Sequence, residues 1–277
     1  MSELNGHCRL QDLGVIGVHG RDAVAFLQGQ LSQDVAQLDA ARARLAGYHN
    51  PQGRVIAILR LLRADDGVHC VLPRELVVPV AERLRRYVLR ARLTLADDSD
   101  GMQVVGEARD GSRLLRVVPS ADTGALQGPE LARAAWRALD IAAGLPQVYR
   151  ATSEAFIAQM LNLDLVDGIA FDKGCYTGQE IIARAHYRGR VKRRMQRFRT
   201  RAAGAVSLAP GNGVVLADGR AAQVIDSVTA PDGRIEFLAV APFAANGGSA
   251  HESHESHAAQ SPPLAVEMLP LPYALPV

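Results

Sequence analysis

The chain has 277 residues, 48% of them hydrophobic and 22% charged, a balance that supports packed cores and excludes a mainly disordered state. A net charge of +2 gives no bulk field for holding a polyanion. The three cysteines, Cys8, Cys70 and Cys175, lie far apart with no CxxC among them, which excludes a disulfide framework or a cysteine-rich zinc or iron–sulfur site built by this chain alone.

Length allows one large domain or two to three small ones. The first eleven residues are polar and lack a signal-peptide core, and no apolar run approaches about 18 residues. No membrane span is expected, and the cytoplasm is the expected address.

Val15-Ile16-Gly17-Val18 predicts a short strand, and Asp22 predicts a helix cap with a helix through Gln30 that buries Ala23, Phe26, Leu27 and Leu31. Asn50-Pro51-Gln52-Gly53 is turn chemistry between strands at 45–48 and 54–62. Asp65-Asp66-Gly67 turns the chain into a strand at 68–72. An amphipathic helix is predicted over 74–90, then a strand at 93–96 and an acidic loop at 97–101. Strands at 102–107 and 112–118 flank the hairpin turn Arg109-Asp110-Gly111. A helix is predicted from Pro129 to Ala143, with Leu131, Ala135, Ala138, Leu139 and Ala142 as its apolar stripe and Gly144 and Pro146 as its stop. Trp136 lies off that stripe and is expected to pack at a seam. Residues 152–163 are expected to hold a further helix.

The most informative stretch is Lys173-Gly174-Cys175-Tyr176-Thr177-Gly178-Gln179-Glu180. Thr177 and Glu180 have the spacing of a capping box, which makes Thr177 the predicted N-cap of a helix over 179–188, with Gly189 its stop. Cys175 would then sit at the positive end of the helix dipole, near the Lys173 ammonium, and both favour a thiolate. On that helix Ile181, Ile182 and Ala185 form the apolar side, while Glu180, Arg184 and Arg188 fall at i, i+4, i+8 on a polar face. Such a face is either a solvated ladder worth about 0.2–0.5 kcal/mol per pair or a ligand surface.

This octapeptide, followed by Ile181-Ile182-Ala183-Arg184, resembles the signature of the YgfZ family of folate-binding proteins, relatives of the glycine-cleavage T-protein that act in iron–sulfur protein maturation. Phe26-Leu27-Gln28-Gly29-Gln30-Leu31-Ser32-Gln33-Asp34-Val35, Asn50-Pro51-Gln52-Gly53-Arg54-Val55 and Arg184-Ala185-His186-Tyr187-Arg188-Gly189 are similar to further family segments. The resemblance implies an α+β fold: a T-protein-like multi-domain ring of mixed α/β N-terminal and central domains closed by a small C-terminal β-barrel. The implied units are 1–100, completed by 145–195, then 101–145, and 196–277 with a flexible loop at 244–263. It also implies a bound tetrahydrofolate or folate derivative. Cys175 would be the working group, assisted by Lys173. Glu180, Arg184, Tyr176, Gln179, Gly178, Gly174 and Arg188, with Gln28, Gln30 and Asp34 from the early motif, would line the folate cleft. Gly174 and Gly178 would permit close backbone approach. A carboxylate suits the paired N–H donors of a pterin, and arginines suit the glutamate tail.

T-proteins carry an acidic pair where alignment on Gly53 puts Ala57 and Ile58 here, and an aliphatic side chain can steer no proton. Aminomethyl transfer is therefore the alternative, and thiol-dependent use of folate the expectation. The expected partners are folate and iron–sulfur client or assembly proteins, with the chain a monomer. A second alternative is an RNA-binding module. Nine cations fall between Arg184 and Arg201 (Arg184, Arg188, Arg190, Lys192, Arg193, Arg194, Arg197, Arg199 and Arg201), and no Asp or Glu occurs from Ile181 to Ala217. With only Tyr187 and Phe198 as stacking groups, nucleic acid is not expected.

From residue 200 short strands alternate with glycine turns, at 214–216, 222–229 and 235–240, with 264–269 as a closing strand. The run His251-Glu252-Ser253-His254-Glu255-Ser256-His257 has ligand-type side chains but nothing around it to hold them rigid, so a polar loop is expected.

Overall fold

The computed structural model describes residues 5–122, 126, 128–201, 206–244 and 263–276; the His251–His257 run lies outside them. Three sheets organise these residues. The first has the order β3-β4-β5-β2-β6, from β2 (Leu13–His19), β3 (Arg44–His49), β4 (Val55–Ala64), β5 (Gly67–Pro73) and β6 (Thr94–Asp97). The second joins β1 (Gly6–Arg9) to the hairpin β7 (Met102–Arg109) and β8 (Ser112–Pro119) in the order β1-β7-β8. The third has the order β10-β11-β12-β9-β13, from β9 (Arg193–Thr200), β10 (Gly213–Val215), β11 (Ala221–Thr229), β12 (Ile235–Pro242) and β13 (Glu267–Leu269). All the ladders are antiparallel. This is a mixed α/β architecture.

The C-terminal strands form an open sheet; no barrel closes among the described residues. β13 lies on β9, yet Leu264, just before it, bridges Leu216 at the far side beyond β10. The expected closing strand is therefore split, its first part touching one edge and its second part the other.

The main core is aliphatic and continuous. Ile16, Leu27, Leu31, Ile58, Leu59, Leu61, Leu72 and Leu84 are fully buried. β4 alternates less than a half-exposed strand would, because both faces are covered at Val55 to Leu59. Helix α1 (Ala23–Gln28) buries Ala23 and Leu27. The Asp22 side chain does not cap it; its carboxylate accepts from Arg92 N at 2.7 Å and ties the helix start to the chain just before β6. Helix α2 (Arg74–Arg85) ends five residues earlier than expected, where bonds from Tyr87 N to Leu84 O and Val88 N to Arg85 O tighten the last turn.

Helix α3 (Arg133–Ala142) also starts later than the pattern predicts. Residues 129–131 instead pair with β1, His7 N donating to Pro129 O and Leu131 N to His7 O. Its buried residues are Trp136 and Ile141, and the Trp136 ring lies flat against Gly106 of β7, where a Cβ would fall 2.7 Å from the ring. The helix expected over 152–163 is absent. Glu154 N donates to Val55 O and Val55 N to Phe156 O, so this backbone pairs with β4, and only single turns form at Arg150–Thr152 and Ala158–Leu161. No helix among the described residues is long and apolar enough to cross a membrane.

Candidate functional site

The Lys173–Glu180 motif is a loop fastened at both ends that leads into helix α4 (Gln179–Tyr187). At its start Lys173 is half-buried, and its Nζ donates to three backbone carbonyls: Gln28 O and Leu31 O at 2.7 Å and Gln33 O at 2.9 Å. The ammonium also lies 5.2 Å from the Tyr176 ring centre. Burial pulls its pKa down to about 8, opposed by Asp34, while three carbonyl acceptors favour the charged form. All three ammonium hydrogens are thus used on the early-motif segment. Lys173 is a clamp that holds the start of the loop onto residues 28–33.

At its other end the loop closes through Gly178, which caps α4 in place of the expected Thr177. Its φ is +82°, and no side chain caps the helix. A Cβ on Gly178 would lie 2.6 Å from Asn50 O and 3.1 Å from Gly53 Cα, so the glycine backs directly onto the Asn50–Gly53 turn. That close approach forces the left-handed turn and pulls Thr177 out of the capping position. Gly174 behaves differently: a side chain there would meet nothing within 4 Å, so the close approach expected of both glycines holds only for Gly178. Gln179 Oε1 accepts from Tyr176 N at 3.3 Å and closes the turn between them.

Between the two fastenings Cys175 is exposed, whereas Cys8 and Cys70 are buried. Burial pushes the Cys8 thiol up to about 11, with Asp12 and Glu130 adding to it, and the Cys70 thiol up to about 12. Only Cys175 meets reagents or partners without opening the fold. Glu180 and Arg184 on α4 and Arg188 at its C-cap are all exposed, and among the described residues they form no ion-pair ladder. On the apolar side Ile182 is fully buried, but Ile181 is 38% exposed and leans on Gly53.

The early motif serves mainly as the platform under this loop. Gln28 Nε2 donates to Asp34 Oδ1 at 3.0 Å, and Val35 N donates to Gln28 Oε1 at 2.7 Å. Asp34 also accepts from Ala36 N and Gln37 Nε2. These two side chains are committed to shaping the loop, while Gln30 keeps a buried Oε1 with no partner among the described residues.

Two further residues here carried no family signature. Among the described residues His49, 1% exposed, has no partner for either ring nitrogen; burial drives its pKa down to about 3. Its ring centre lies 6.1 Å from that of Tyr176. Gln159 donates to Ile182 O at 2.7 Å, but its Oε1 has no partner among the described residues. A His-Asn pair closing an otherwise apolar strand was the available sequence signal for the first; the second had none.

A separate concavity of about 450 Å³ lies where α3 meets strands of the first and third sheets. Arg60, Trp136, Arg137, Asp140, Tyr149 and Asp226 line it. Arg60 and Arg113 both grip Asp140, at 2.7 and 2.6 Å. Arg137 Nε donates to Asp226 at 2.8 Å and Arg137 Nη2 to Tyr149 Oη, which itself donates to Asp226 at 3.2 Å. Burial raises the Asp226 pKa to about 6 against the pull of Arg137. Trp136 Nε1 and Arg60 Nε, in residues of this wall, have no partner among the described residues. The volume suits a small aromatic ligand, and the wall offers carboxylates, guanidinium groups and aromatic faces. Neither Cys175 nor the α4 face lines it.

Three arginines of the basic run are spent on carboxylates. Arg194, buried, makes a two-pronged pair with Asp164, both contacts 2.9 Å. Arg197 and Arg199 share Glu236 at 2.5 and 2.9 Å, a partner about forty residues on that local charge counting could not supply. Arg184, Arg188 and Arg190 remain exposed.

No protein-family model matches the chain. It is 32% identical over 225 residues to the tRNA-modifying protein YgfZ of Edwardsiella ictaluri (strain 93-146), covering 67% of this chain and 68% of that one. It is 34% identical over 223 residues to the same-named protein of Klebsiella pneumoniae (strain 342), covering 66% and 68%. Its structure is similar to the glycine cleavage system aminomethyltransferase T from Bartonella henselae, with a TM-score of 0.64 at 14% identity over 87% of this chain and 79% of that one. A third of the residues shared over two-thirds of each relative, on a T-protein-like fold, shows that the chain belongs to the YgfZ family.

Proposed function

We propose that this chain is a folate-binding accessory protein of tRNA modification that works through the Cys175 thiol and serves iron–sulfur proteins in that process. The observation that carries the proposal is the contrast among the cysteines: one is presented on a doubly fastened loop, the other two are buried. Relatives named for tRNA modification support the process, and the fold shared with an aminomethyltransferase T supports folate as the ligand. The residues present fit that ligand. In the cavity beside α3 Asp226 or Asp140 would accept from the pterin N–H edge, Tyr149 and Trp136 would flank rings, and exposed Arg133 at the rim would meet the glutamate tail. The rival placement is the α4 face, with Glu180, Arg184 and Arg188 on the folate and Tyr176 beside it.

Bound folate would supply one-carbon chemistry; the chain's residues would bind and orient it. The wall and the thiol loop are linked by a short segment. Tyr149 lines the cavity, and five residues on, Glu154 accepts from Asn50 Nδ2 at 2.6 Å, on the turn that supports Gly178. Aminomethyl transfer is disfavoured because Ala57 and Ile58 are fully buried in β4 and offer no acid. The three sheets support a division into three units, and Leu264 reaching back to Leu216 supports a barrel-like last unit.

Calorimetric titration with tetrahydrofolate tests the ligand and its place. Loss of affinity by about 1.5–3 kcal/mol in Asp226→Asn with Glu180→Ala unaffected is expected from a lost charge-assisted hydrogen bond. The reverse pattern would move the folate to α4, and no heat with the unsubstituted protein would remove folate altogether.

A further inference from the structure

On the first sheet, far in sequence from the motif, three strands bring ligand-type side chains together over a glycine. Gly17 of β2 stands opposite His69 of β5 on one side and Ala96 of β6 on the other. Opposed residues and residues two apart share a face of the sheet, so His19, His69 and Asp98 rise on the face that Gly17 leaves bare. A Cβ on Gly17 would fall 1.8 Å from Asp98 Oδ2 and 2.2 Å from His19 Nε2; the glycine is the floor on which these groups meet. One ligand atom from each of His19, His69 and Asp98 lies within 4.8 Å of the others, and all three residues are half-buried.

The hydrogen bonds define the roles. His19 Nε2 lies 2.8 Å from Asp98 Oδ2, and His19 Nδ1 lies 2.9 Å from Asp66 Oδ1 in the β4–β5 turn. The His69 ring stands edge-on to His19, 6.0 Å between centres at 78°. A carboxylate on the rear nitrogen of a histidine, with the front nitrogen facing a second imidazole and a carboxylate, is the usual outer support of a metal-bound histidine.

We propose that His19 Nε2, His69 and Asp98 bind one divalent zinc-class ion, with Asp66 orienting His19 from behind and a fourth position open to water. Two imidazoles and one carboxylate are ligands of this class, and the open position is that of a reactive rather than a closed site. Tetrahedral coordination at about 2.0–2.2 Å needs ligand atoms about 3.3–3.5 Å apart. The His19–Asp98 contact opens by about half an ångström to admit the ion, a side-chain adjustment at a half-exposed site.

The experiment uses the full chain with His251, His254 and His257 changed to alanine, so that the other histidine run contributes nothing. Titration with Co2+ is expected to give the visible bands of a tetrahedral ion at one equivalent, displaced by one equivalent of Zn2+. Asp98→Asn and His69→Gln are each expected to abolish the bands, and Asp66→Asn to weaken binding about 10–100-fold. X-ray absorption of the zinc-loaded protein needs no variant to fold: two imidazoles and at least one oxygen are expected around the ion. Fewer than two imidazoles, no tetrahedral bands, or full binding by a folded Asp98→Asn protein would each overturn the proposal.

Discussion

Replacing Lys173 by methionine separates the clamp from thiol activation. The long stem is kept, while three carbonyls lose a charged donor and the Tyr176 ring loses the ammonium over it. At about 1.5–3 kcal/mol for each hydrogen bond to a charged group, the three are worth about 5–9 kcal/mol. Against this stands the cost of burying the ammonium. A pKa lowered from 10.5 to about 8 bounds that cost at about 3 kcal/mol at 1.36 kcal/mol per pH unit, and solvent screening of the half-buried ammonium lowers it further. The difference leaves a destabilisation of at least about 2 kcal/mol for Lys173→Met. Urea unfolding followed by circular dichroism measures it, as a fall in midpoint with the slope unchanged. A loss under about 0.5 kcal/mol together with slower alkylation of Cys175 would refute the clamp and return Lys173 to the thiol.

The glycines give a second test. Gly178→Ala should cost more than about 1 kcal/mol, from a left-handed backbone and a Cβ driven against Asn50 O, whereas Gly174→Ala should melt with the parent protein. The cysteines should alkylate unequally at pH 8. Thiols at about 11 and about 12 leave Cys8 and Cys70 ionised only to about 10⁻³ and 10⁻⁴, so mass spectrometry should find Cys175 labelled first; equal rates would sink the account of the loop. His49 should govern part of the acid sensitivity. Its folded pKa lies below its unfolded value, so its stability contribution is whole above pH 6.5 and is lost as pH falls towards about 3. The span bounds the loss at about 5 kcal/mol. The stability gap between the parent and His49→Gln should narrow over that range, and a constant gap would mean the imidazole is not held neutral.

The elements whose signals are local were legible. The strands through Ile16, Ile58 and Val71, and the turns at Asn50–Gly53 and Asp65–Gly67, were placed from apolar runs and turn residues, and the structure has them within a few residues. What failed was decided by distant partners. Residues 154–156 are helix-compatible alone but pair with Val55. Thr177 has capping spacing, yet the contact between Gly178 and the Asn50 turn moves the cap by one residue. Arg197 and Arg199 look like free cations until Glu236 is brought beside them across β12. The cavity wall of Arg60, Asp140, Tyr149 and Asp226, and the group over Gly17, span sequence separations that no motif joins. The Cys175 loop was legible as a segment because Lys173, Gly178 and Gln179 are close neighbours in the chain, whereas the carbonyls of residues 28–33 and the Asn50 turn to which it is fastened lie far off in sequence.

The central claim is that the thiol, and not merely the fold, does the work. It is tested most directly in a strain lacking this protein, by measuring tRNA modification after expression of Cys175→Ser beside the parent chain. The variant is expected to bind tetrahydrofolate with unchanged affinity and to leave the modification unrestored; full restoration by the serine protein would contradict the account.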